Sequence, residues 1–377
     1  MDVDKVRKMF PVTKTKTFLN HAAVSPLPEP VKAAIKNYLE NIMVIEEDHD
    51  GPNEGRRLFA RLINAEPSEI ALVPNTSMGL NIAANTVNYP QGCNVVTTDL
   101  EFPTVTYPWL RSKLKPRVEL RYVKNVDGKL LLEDFEKMVD DQTVVVVVSH
   151  VEYSNGFRND LKALSEITHK HGAVFIVDIC QSAGALHIDV KRDKVDFMAT
   201  SSYKWLLGPS GAGFLYVQKD LIGKSEPVFV GYEGVKPEVF ETIDLWNNRE
   251  LKFVETANRF ETGGLSVLSY IGATAALKLI LEVGADKIEK RVTELARYLM
   301  KRLKEEGFQL QTPEDVEQIS GIVNFRVDDP RGKVKKLVQK GIVVSARMNG
   351  IRVSPHFYNA EEEIERLIGE TKKINEN

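Results

Sequence analysis

Polar and charged side chains follow several short apolar runs of this sequence, and Lys204 and Asp178 are the two with the most useful chemistry. Lys204 comes four residues after one such run, and Asp178 directly follows another. Ligands of open α/β sheets bind outside the carboxyl ends of the strands, so we expect the two side chains to meet at one edge of a sheet. An amine between Tyr203 and Trp205 would lose solvation there, which predicts a lowered pKa for Lys204 and a stronger nucleophile.

A nucleophilic lysine with a carboxylate partner is the pair that pyridoxal 5′-phosphate requires. The lysine forms a Schiff base with the aldehyde, and the carboxylate keeps the pyridine nitrogen protonated so that the ring withdraws electrons from the substrate Cα. A phosphate site is predicted where Thr76 and Ser77 precede a helical stretch, because hydroxyls and free N–H groups meet at a helix N-terminus. The substrate carboxylate needs a bidentate cation, for which Arg347 and Arg352 are available.

Each of these residues, taken alone, also fits an ordinary structural role. Asp178, Thr76 and Ser77 could cap helices, and Lys204 could be a solvated charge. Core packing or structural ion pairing would equally account for His150, Phe102 and Arg352. The combination favours the cofactor, because one group explains the whole set of spacings.

Other nucleotide and metal signatures are incomplete. The glycines of 208–213 are wrongly spaced for a dinucleotide fingerprint, and they precede a strand rather than open a helix. Residues 223–225 match the end of a phosphate loop, but Gln218 stands where its first glycine is required. His169 and His171 are two apart on a predicted helix, so they cannot share a face to bind zinc.

The elements that must position these residues alternate between strand-like and helix-like patterns. A helix over 160–170 has Asp160 as its N-cap and ends before Gly172. The valine run 144–148 has no polar alternation, which is typical of a strand covered on both faces. Strand-like runs are found at 94–98, 144–148, 173–177, 196–200 and 213–217. The alternation predicts an α/β fold, a mostly parallel sheet covered by helices.

The pattern changes after about residue 260, which predicts a second, smaller α+β domain. Its predicted elements are helices over 265–282, 285–306 and 360–375 and strand-like segments near 321–327, 342–345 and 351–354. We predict a large cofactor-binding domain over 15–258 and a small C-terminal domain over 259–377, with segment 1–14 packing near the latter. Segment 221–258 matches no regular pattern.

Composition narrows the class of protein. The 377 residues include 50 lysines and arginines against 53 acids, a net charge of −3, so nothing favours nucleic acid or an anionic membrane as a partner. Two cysteines cannot form a disulfide framework or a four-thiolate zinc site. Since the N-terminus has no signal-peptide pattern and no apolar run approaches about 20 residues, a cytoplasmic protein is expected.

Two blocks carry a resemblance to a known family: VDICQSAG at 177–184 and SSYKWLLGP at 201–209. With matching segments at 18–26 and 358–364, nearly the whole chain resembles the class V (fold type I) aminotransferase superfamily of pyridoxal-phosphate enzymes. That superfamily includes cysteine desulfurases, kynureninases and isopenicillin N epimerase-like proteins. The resemblance implies a homodimer.

The same resemblance implies roles for the cofactor-site residues. Lys204 bonds the cofactor and shuttles the Cα proton, Asp178 pairs with the pyridine nitrogen, and Gln181 faces the ring hydroxyl. Phe102 corresponds to the aromatic residue that stacks on the ring. The implied phosphate ligands are Thr76, Ser77, Ser201 and Tyr203.

For the substrate, the resemblance implies that an arginine grips the carboxylate, with Arg352 as first choice and Arg347 as second. The sequence does not identify the substrate side chain. We expect specificity to depend on segment 221–258 and on Asn20, His21, Tyr107, Trp109 and Tyr153.

Three departures from the family pattern matter. Phe102 stands where desulfurases have a histidine, and with Tyr203 it favours the kynureninase and epimerase-like branches. No cysteine follows Cys180, which argues against persulfide chemistry on a small-domain loop. Gly264 replaces the threonine that reaches the neighbouring subunit's phosphate, and Thr262 is the alternative for that contact.

The resemblance thus implies a pyridoxal-phosphate enzyme acting at the Cα of an α-amino acid, with an aminotransferase as the first hypothesis. A kynureninase-like or β-eliminating lyase, an epimerase and a racemase stay open, because no residue specific to one reaction is visible. A non-enzymatic binding module is the remaining alternative, but it would not need a lysine, an aspartate and phosphate-binding hydroxyls together.

Overall fold

The computed structural model describes residues 2–43, 50–111, 118–242, 244–247, 249–314 and 316–375. The strands in chain order are β1 Thr17–Phe18, β2 Ile70–Val73, β3 Cys93–Thr98, β4 Val118–Val123, β5 Thr143–Ser149, β6 Val174–Asp178, β7 Phe197–Ser201, β8 Gly213–Val217, β9 Phe240–Thr242, β10 Leu245–Trp246, β11 Val323–Arg326, β12 Ile342–Val343, β13 Ser345–Arg347 and β14 Gly350–Val353.

The helices follow the same order. They are α1 Val3–Arg7, α2 Glu29–Ile42, α3 Gly51–Leu62, α4 Thr76–Thr86, α5 Pro103–Leu110, α6 Leu132–Met138, α7 Leu161–Lys170, α8 Val190–Asp193, α9 Lys219–Ile222, α10 Val267–Val283, α11 Ala285–Glu305, α12 Pro330–Gln339 and α13 Glu361–Asn375.

A seven-stranded sheet in the order β2-β8-β7-β6-β5-β3-β4 forms the centre of the fold. Neighbours from β7 through β4 pair in parallel, while β8 runs antiparallel to both β7 and β2. The predicted α/β fold with a mostly parallel, helix-covered sheet is therefore confirmed. Because β3, β5, β6 and β7 all end at the same edge, the residues that follow them are brought together there.

The valine run of β5 lies between two apolar layers, as its uniform pattern predicts. Val146 and Val148 pack into one core cluster, and Val145 and Val147 pack into the cluster on the opposite face. All four are at most 1% exposed. A central strand with both faces buried holds the residues at its end in fixed positions.

Side-chain hydrogen bonds cap two helices that begin at the carboxyl edge of the large sheet. Asp160 caps α7 by accepting a hydrogen bond from the Ala163 N–H at 3.0 Å, as predicted. Asn75 caps α4 in the same way, accepting from the Met78 N–H at 2.9 Å. Helix α4 follows β2 directly, so its N-terminus opens at the carboxyl edge of the sheet.

A smaller antiparallel sheet, in the order β11-β14-β13, lies in the C-terminal part of the chain. Its apolar face, with Val323, Phe325 and Ile351, packs with α11 and α13 in a third core cluster that also contains Leu19. The strand β1 that leads to Leu19 pairs in parallel with β12. The N-terminal segment is therefore tied to the C-terminal sheet.

Helix α10 follows the predicted domain boundary between residues 258 and 259, so its contacts show which domain it packs with. It packs against α2 and α3, and the hydroxyl of its Tyr270 donates to the carbonyls of Val73 and Gly213, each at 2.9 Å. Its apolar side thus belongs to the cluster that covers the large sheet. The division at 258/259 stays a prediction.

Segment 221–258, for which the sequence shows no regular pattern, contains the exposed two-stranded hairpin of β9 and β10; residues 243 and 248 lie outside the described part. No single helix within the described ranges is both long and apolar enough to cross a membrane. Helices α10 and α11 meet the length and composition criterion only as a pair, and they are bent by 82°.

Candidate active site

A cavity of about 360 Å³ opens at the carboxyl edge of the large sheet. The loops after β2, β3, β5, β6 and β7 all contribute to it, as the strand order requires. Its lining includes Asn75, Thr76, Ser77, Phe102, Thr104, Ser149, Tyr153, Asp178, Cys180, Gln181, Ser201, Tyr203, Lys204, Ser210 and Gly211. The eight residues predicted to hold the cofactor's ring, phosphate and covalent bond all line this one cavity; Gly264, the ninth cofactor residue, does not.

The amine of Lys204 lies between two aromatic rings. Its Nζ is 5.7 Å from the ring centroid of Phe102 and 5.7 Å from that of Tyr203. Burial is the largest single influence on the pKa of Lys204 and lowers it, but the charges of Cys180, Tyr203 and Asp178 together outweigh burial and raise the pKa above its usual value. The predicted decrease is therefore wrong, because these acidic groups lie closer than the sequence indicates.

The carboxyl of Asp178 ends β6 and is 6% exposed. Its Oδ1 accepts a hydrogen bond from the Cys180 N–H at 2.7 Å. Burial raises the pKa of Asp178 to about 6, against the lowering effects of that bond and of the Lys204 charge. Asp178 is thus mainly ionised at neutral pH, as a partner of a protonated pyridine nitrogen must be.

Hydroxyl groups gather where helix α4 begins. The Ser201 Oγ accepts from the Thr76 N–H at 2.8 Å and shares a second hydrogen bond of 2.8 Å with the Thr76 Oγ1. The Thr104 hydroxyl donates to the Ser77 Oγ. Since α4 has 11 residues, its N-terminus adds a favourable dipole for an anion at this end of the cavity.

Hydrogen bonds to neighbouring segments hold the loop that carries Lys204. The Trp205 Nε1 donates to the Gln181 Oε1 at 2.9 Å, and the Gln181 Nε2 donates to the Ala22 carbonyl at 3.0 Å. The His356 Nε2 donates to the Trp205 carbonyl at 3.0 Å, because the other ring nitrogen accepts from the Phe357 N–H. Gln181 keeps one amide hydrogen free for a ring oxygen in the cavity.

Two further carboxyls lie behind Asp178. Glu101 accepts two hydrogen bonds from Ser149, from its N–H at 2.7 Å and from its hydroxyl at 2.6 Å. Burial raises the pKa of Glu101 to about 8, with a further increase from Asp178. Burial also raises the pKa of Glu152 well above its usual value, and one of its oxygens has no hydrogen-bond partner. Neutral carboxyls here leave Asp178 as the main negative charge of the cavity.

Arg352 lies next to the cavity rather than in its lining. Its guanidinium donates to the Tyr153 carbonyl at 2.7 Å and to the Ser345 Oγ at 3.2 Å, and its Nε has no partner. The side chain of Ser345 in turn donates to the Asn20 Oδ1 at 2.7 Å. Arg352 is 1% exposed. Its charge nevertheless lowers the pKa of Lys204, so it lies close to the reactive amine, behind Tyr153.

Several other predicted residues do not line the cavity, among them Asn20, His21, Tyr107, Trp109, Arg347 and Gly264. His21 is completely buried, and both of its ring nitrogens are used, by the Ser354 carbonyl at 2.9 Å and by the Tyr358 hydroxyl at 2.8 Å. Arg347 is half-buried in β13. Gly264 is exposed, has a φ of +65°, and has open space where a side chain would point.

Some cavity residues were not singled out from the sequence. Cys180 lies between Asp178 and Gln181 in the same strand-end loop, so its position in the chain was a usable signal. Ser210 and Gly211 reach the cavity because the chain turns back before β8. The Gly-Pro-Ser-Gly sequence at 208–211 is a local signal for that turn.

The residues present fit pyridoxal 5′-phosphate. The buried, mainly ionised carboxylate of Asp178 suits a pyridinium nitrogen, and the hydroxyls of Thr76, Ser77 and Ser201 with the α4 N-terminus suit a phosphate. The ring of Phe102 is 44% exposed although it lines the cavity, which leaves an apolar surface for a flat ring. Lys204 completes the set.

Comparison with known proteins agrees with this chemistry. The family model described as aminotransferase class-V matches residues 17–367. The uncharacterized aminotransferase YcbU of Bacillus subtilis is 34% identical over 97% of this chain and 96% of its own length. A probable cysteine desulfurase of Pyrococcus abyssi is 30% identical over 98% of this chain and 97% of its own.

A solved structure has the same fold. The cysteine desulfurase from Thermococcus onnurineus superposes with a TM-score of 0.89 at 28% identity, covering 98% of this chain and 97% of that one. The closer similarity to isopenicillin N epimerase-like and kynureninase-like proteins stays a prediction. Because the family model matches nearly the whole chain, the protein belongs to the class-V aminotransferase family, whose cofactor is pyridoxal 5′-phosphate.

Proposed function

We propose that this protein is an aminotransferase that acts at the Cα of an α-amino acid through Lys204. The observation that carries the proposal is the juxtaposition, in one cavity, of the Lys204 amine, the Asp178 carboxylate and the hydroxyls of Thr76, Ser77 and Ser201. When bound, pyridoxal phosphate supplies an electron-withdrawing ring that stabilises negative charge at the substrate Cα.

The chain's own residues then perform five tasks. Asp178 holds a proton on the pyridine nitrogen, and Lys204 moves the proton of the substrate Cα. Phe102 packs against one face of the ring, and Gln181 donates to the ring oxygen. The hydroxyls of Thr76, Ser77, Ser201 and Tyr203 orient the phosphate, which fixes the ring relative to Lys204.

The substrate carboxylate is the natural partner of Arg352. A buried guanidinium without a carboxylate partner is costly, and an incoming carboxylate would satisfy the unpaired Nε. Since Arg352 is 1% exposed and donates to the carbonyl of the cavity residue Tyr153, substrate binding requires a small rearrangement at Tyr153. Asn20 supports this site through Ser345.

A pyridoxal-phosphate lyase is the second candidate, because relatives of this chain are named cysteine desulfurases. The last cysteine in the sequence is Cys180, which lies in the cavity beside Asp178. Sulfur transfer through a cysteine on a small-domain loop therefore has no acceptor here. A β-eliminating or kynureninase-like reaction, and epimerisation or racemisation, need no such cysteine.

We also propose a cytoplasmic homodimer. Apolar side chains stay exposed on α5 and in segment 221–258, including Tyr107 at 65% and Phe229 at 46%, and a second subunit would cover them. Gly264, or Thr262 beside it, would then approach the neighbouring subunit's phosphate site. Light scattering on the purified protein measures the mass that this requires.

A single-turnover reaction with a panel of amino acids separates the candidate reactions. Transamination leaves pyridoxamine phosphate on the protein and releases a 2-oxo acid in equal amount. A β-eliminating lyase instead releases ammonia, a 2-oxo acid and the side-chain fragment, whereas a kynureninase-like lyase releases alanine and the side-chain fragment. An epimerase or racemase changes only the configuration at Cα. If the protein binds the cofactor but no amino acid yields pyridoxamine phosphate, the aminotransferase proposal is wrong.

A further inference from the structure

The small sheet β11-β14-β13 has one apolar and one polar face. Paired residues of antiparallel strands point to the same side, and side chains alternate along each strand. Arg352 pairs with Asn324 and with Ser345, so these three share a face with Arg347, two residues beyond Ser345. The opposite face carries Ile351 and belongs to the apolar core.

The polar face is turned towards the domain that carries Lys204. Arg352 donates to the Tyr153 carbonyl at 2.7 Å, Asn324 donates to the Ser154 carbonyl at 2.8 Å, and Ser345 donates to Asn20 at 2.7 Å. Tyr153 itself lines the cavity. Arg352 therefore lies behind Tyr153 at one side of the cavity, and Arg347 is its neighbour on the same face.

Neither Arg347 nor Arg352 has an acidic partner within the described ranges. The only hydrogen bond of the Arg347 side chain there is to the carbonyl of Ala346, at 2.7 Å, and Arg352 is bonded to a carbonyl and a hydroxyl. Burial, followed by the charge of Arg347, lowers the pKa of Arg352 to about 9. Two neighbouring cations without a carboxylate repel each other, and one bound carboxylate neutralises only one of them.

We propose that Arg347 binds an anionic group at the end of the substrate side chain, so that the enzyme acts on acidic amino acids. This inference rests on the proposed function, in which Arg352 takes the α-carboxylate. The side-chain group is a carboxylate or a sulfinate, since both present oxygens that a guanidinium can bind in bidentate fashion. Neutral amino acids of the same size leave Arg347 unpaired and are poor substrates.

The test compares L-aspartate, L-glutamate and L-cysteine sulfinate with L-asparagine, L-glutamine and L-alanine. For the holoenzyme we expect kcat/KM to be roughly 100-fold higher for the acids than for the amides. Arg347→Gln should lower the values for the acids by a similar factor and leave those for the amides within about threefold. Arg347→Lys keeps the positive charge but loses the bidentate guanidinium geometry, so its kcat/KM for the acids should fall between the values of the parent and of Arg347→Gln.

Arg331→Gln, at an exposed arginine of α12, is the matched control and should change nothing. Equal rates for acids and amides in the parent, or an equal loss for both in Arg347→Gln, would overturn the inference. Rates that favour only the sulfinate, or only the carboxylates, identify which anion the site takes.

Binding of a non-reacting ligand separates this inference from the proposed function. Succinate and butyrate, titrated against the absorbance of the bound cofactor, should differ roughly 100-fold in Kd in the parent and little in Arg347→Gln. If no amino acid reacts but this difference is found, the proposed reaction fails while the anion site stands. If succinate and butyrate bind equally in the parent, the anion site is refuted whatever the reaction.

Discussion

The indole nitrogen of Trp205 donates a 2.9 Å hydrogen bond to the side-chain oxygen of Gln181. This bond joins the loop after β7, which carries Lys204, to the loop after β6, which carries Asp178. Both partners are at most 7% exposed, so the bond is shielded from water. The bond therefore holds these two loops in place relative to each other before any ligand binds.

Replacing Asp178 with asparagine tests the role of the carboxylate. Asparagine keeps the shape but cannot hold a proton on a pyridine nitrogen, so we expect kcat to fall at least about 100-fold. The absorbance of the bound cofactor should shift as well. Asp160→Asn, at the exposed N-cap of α7, is the control and should leave both unchanged. Near-normal turnover in Asp178→Asn would show that this carboxylate does not serve the ring.

Ser201→Ala tests the phosphate end of the cavity. The substitution removes both hydrogen bonds between Ser201 and Thr76 and one ligand of the phosphate, so the Kd for pyridoxal phosphate should rise roughly 10- to 100-fold. Spectrophotometric titration of the cofactor-free protein measures this constant. The exposed serine Ser68 gives a matched control in Ser68→Ala, and identical constants for the two variants would contradict the assignment.

Replacing Gly184 with alanine tests the packing behind the loop that carries Lys204. Its φ is +92°, and a Cβ there would lie 2.3 Å from the Trp205 carbonyl oxygen. Gly184→Ala should therefore displace the backbone next to Lys204, lower the thermal midpoint by several degrees and weaken cofactor binding. Gly172→Ala also places alanine at a positive φ, of +71°, but in open space. It should cost only about 1 kcal/mol and leave cofactor binding intact.

The raised pKa of Glu101 predicts a pH dependence of stability. A carboxyl whose pKa is higher in the folded protein than in the unfolded chain favours folding while it is protonated, and this contribution is lost as the pH rises. For Glu101 the loss runs from about pH 4.5 to about pH 8. The thermal midpoint of the cofactor-free parent, relative to Glu101→Gln, should therefore fall by roughly 3–8 °C over this window.

The exposed Glu136 provides the comparison for this experiment. Glu136→Gln should give a midpoint that runs parallel to the parent at every pH. If the thermal midpoints of the parent and of Glu101→Gln also run parallel with pH, Glu101 ionises in the folded protein as it does in the unfolded chain, which would contradict the prediction.

Much of the fold could be predicted from the sequence because its central strands are apolar on both faces. The runs at 144–148, 173–177 and 213–217 correspond to β5, β6 and β8. Strand β2 was missed because a run of four apolar residues does not distinguish strand from helix. Edge strand β4 is absent from the predicted strands although its residues 118–123, VELRYV, alternate apolar and polar side chains as a half-buried strand does. The antiparallel direction of β8 has no local signal.

The site was predictable where its residues follow strand ends and not where distant segments meet. Lys204, Asp178 and Ser201 lie at the carboxyl edge because the strand order places them there. The raised pKa of Lys204 depends on how closely Cys180 and Asp178 approach it. The burial of His21 depends on Tyr358, 337 residues away in the chain, so no pattern around His21 indicates it.

The most direct test of the account is to locate the covalent bond to the cofactor. Borohydride reduction of the yellow holoenzyme, followed by proteolysis and mass spectrometry, should find the phosphopyridoxyl group on the Nζ of Lys204 alone. Lys204→Ala should bind the cofactor without forming that bond. A modified peptide that carries the group on another lysine, or a parent protein that takes up no pyridoxal phosphate, would contradict the central claim.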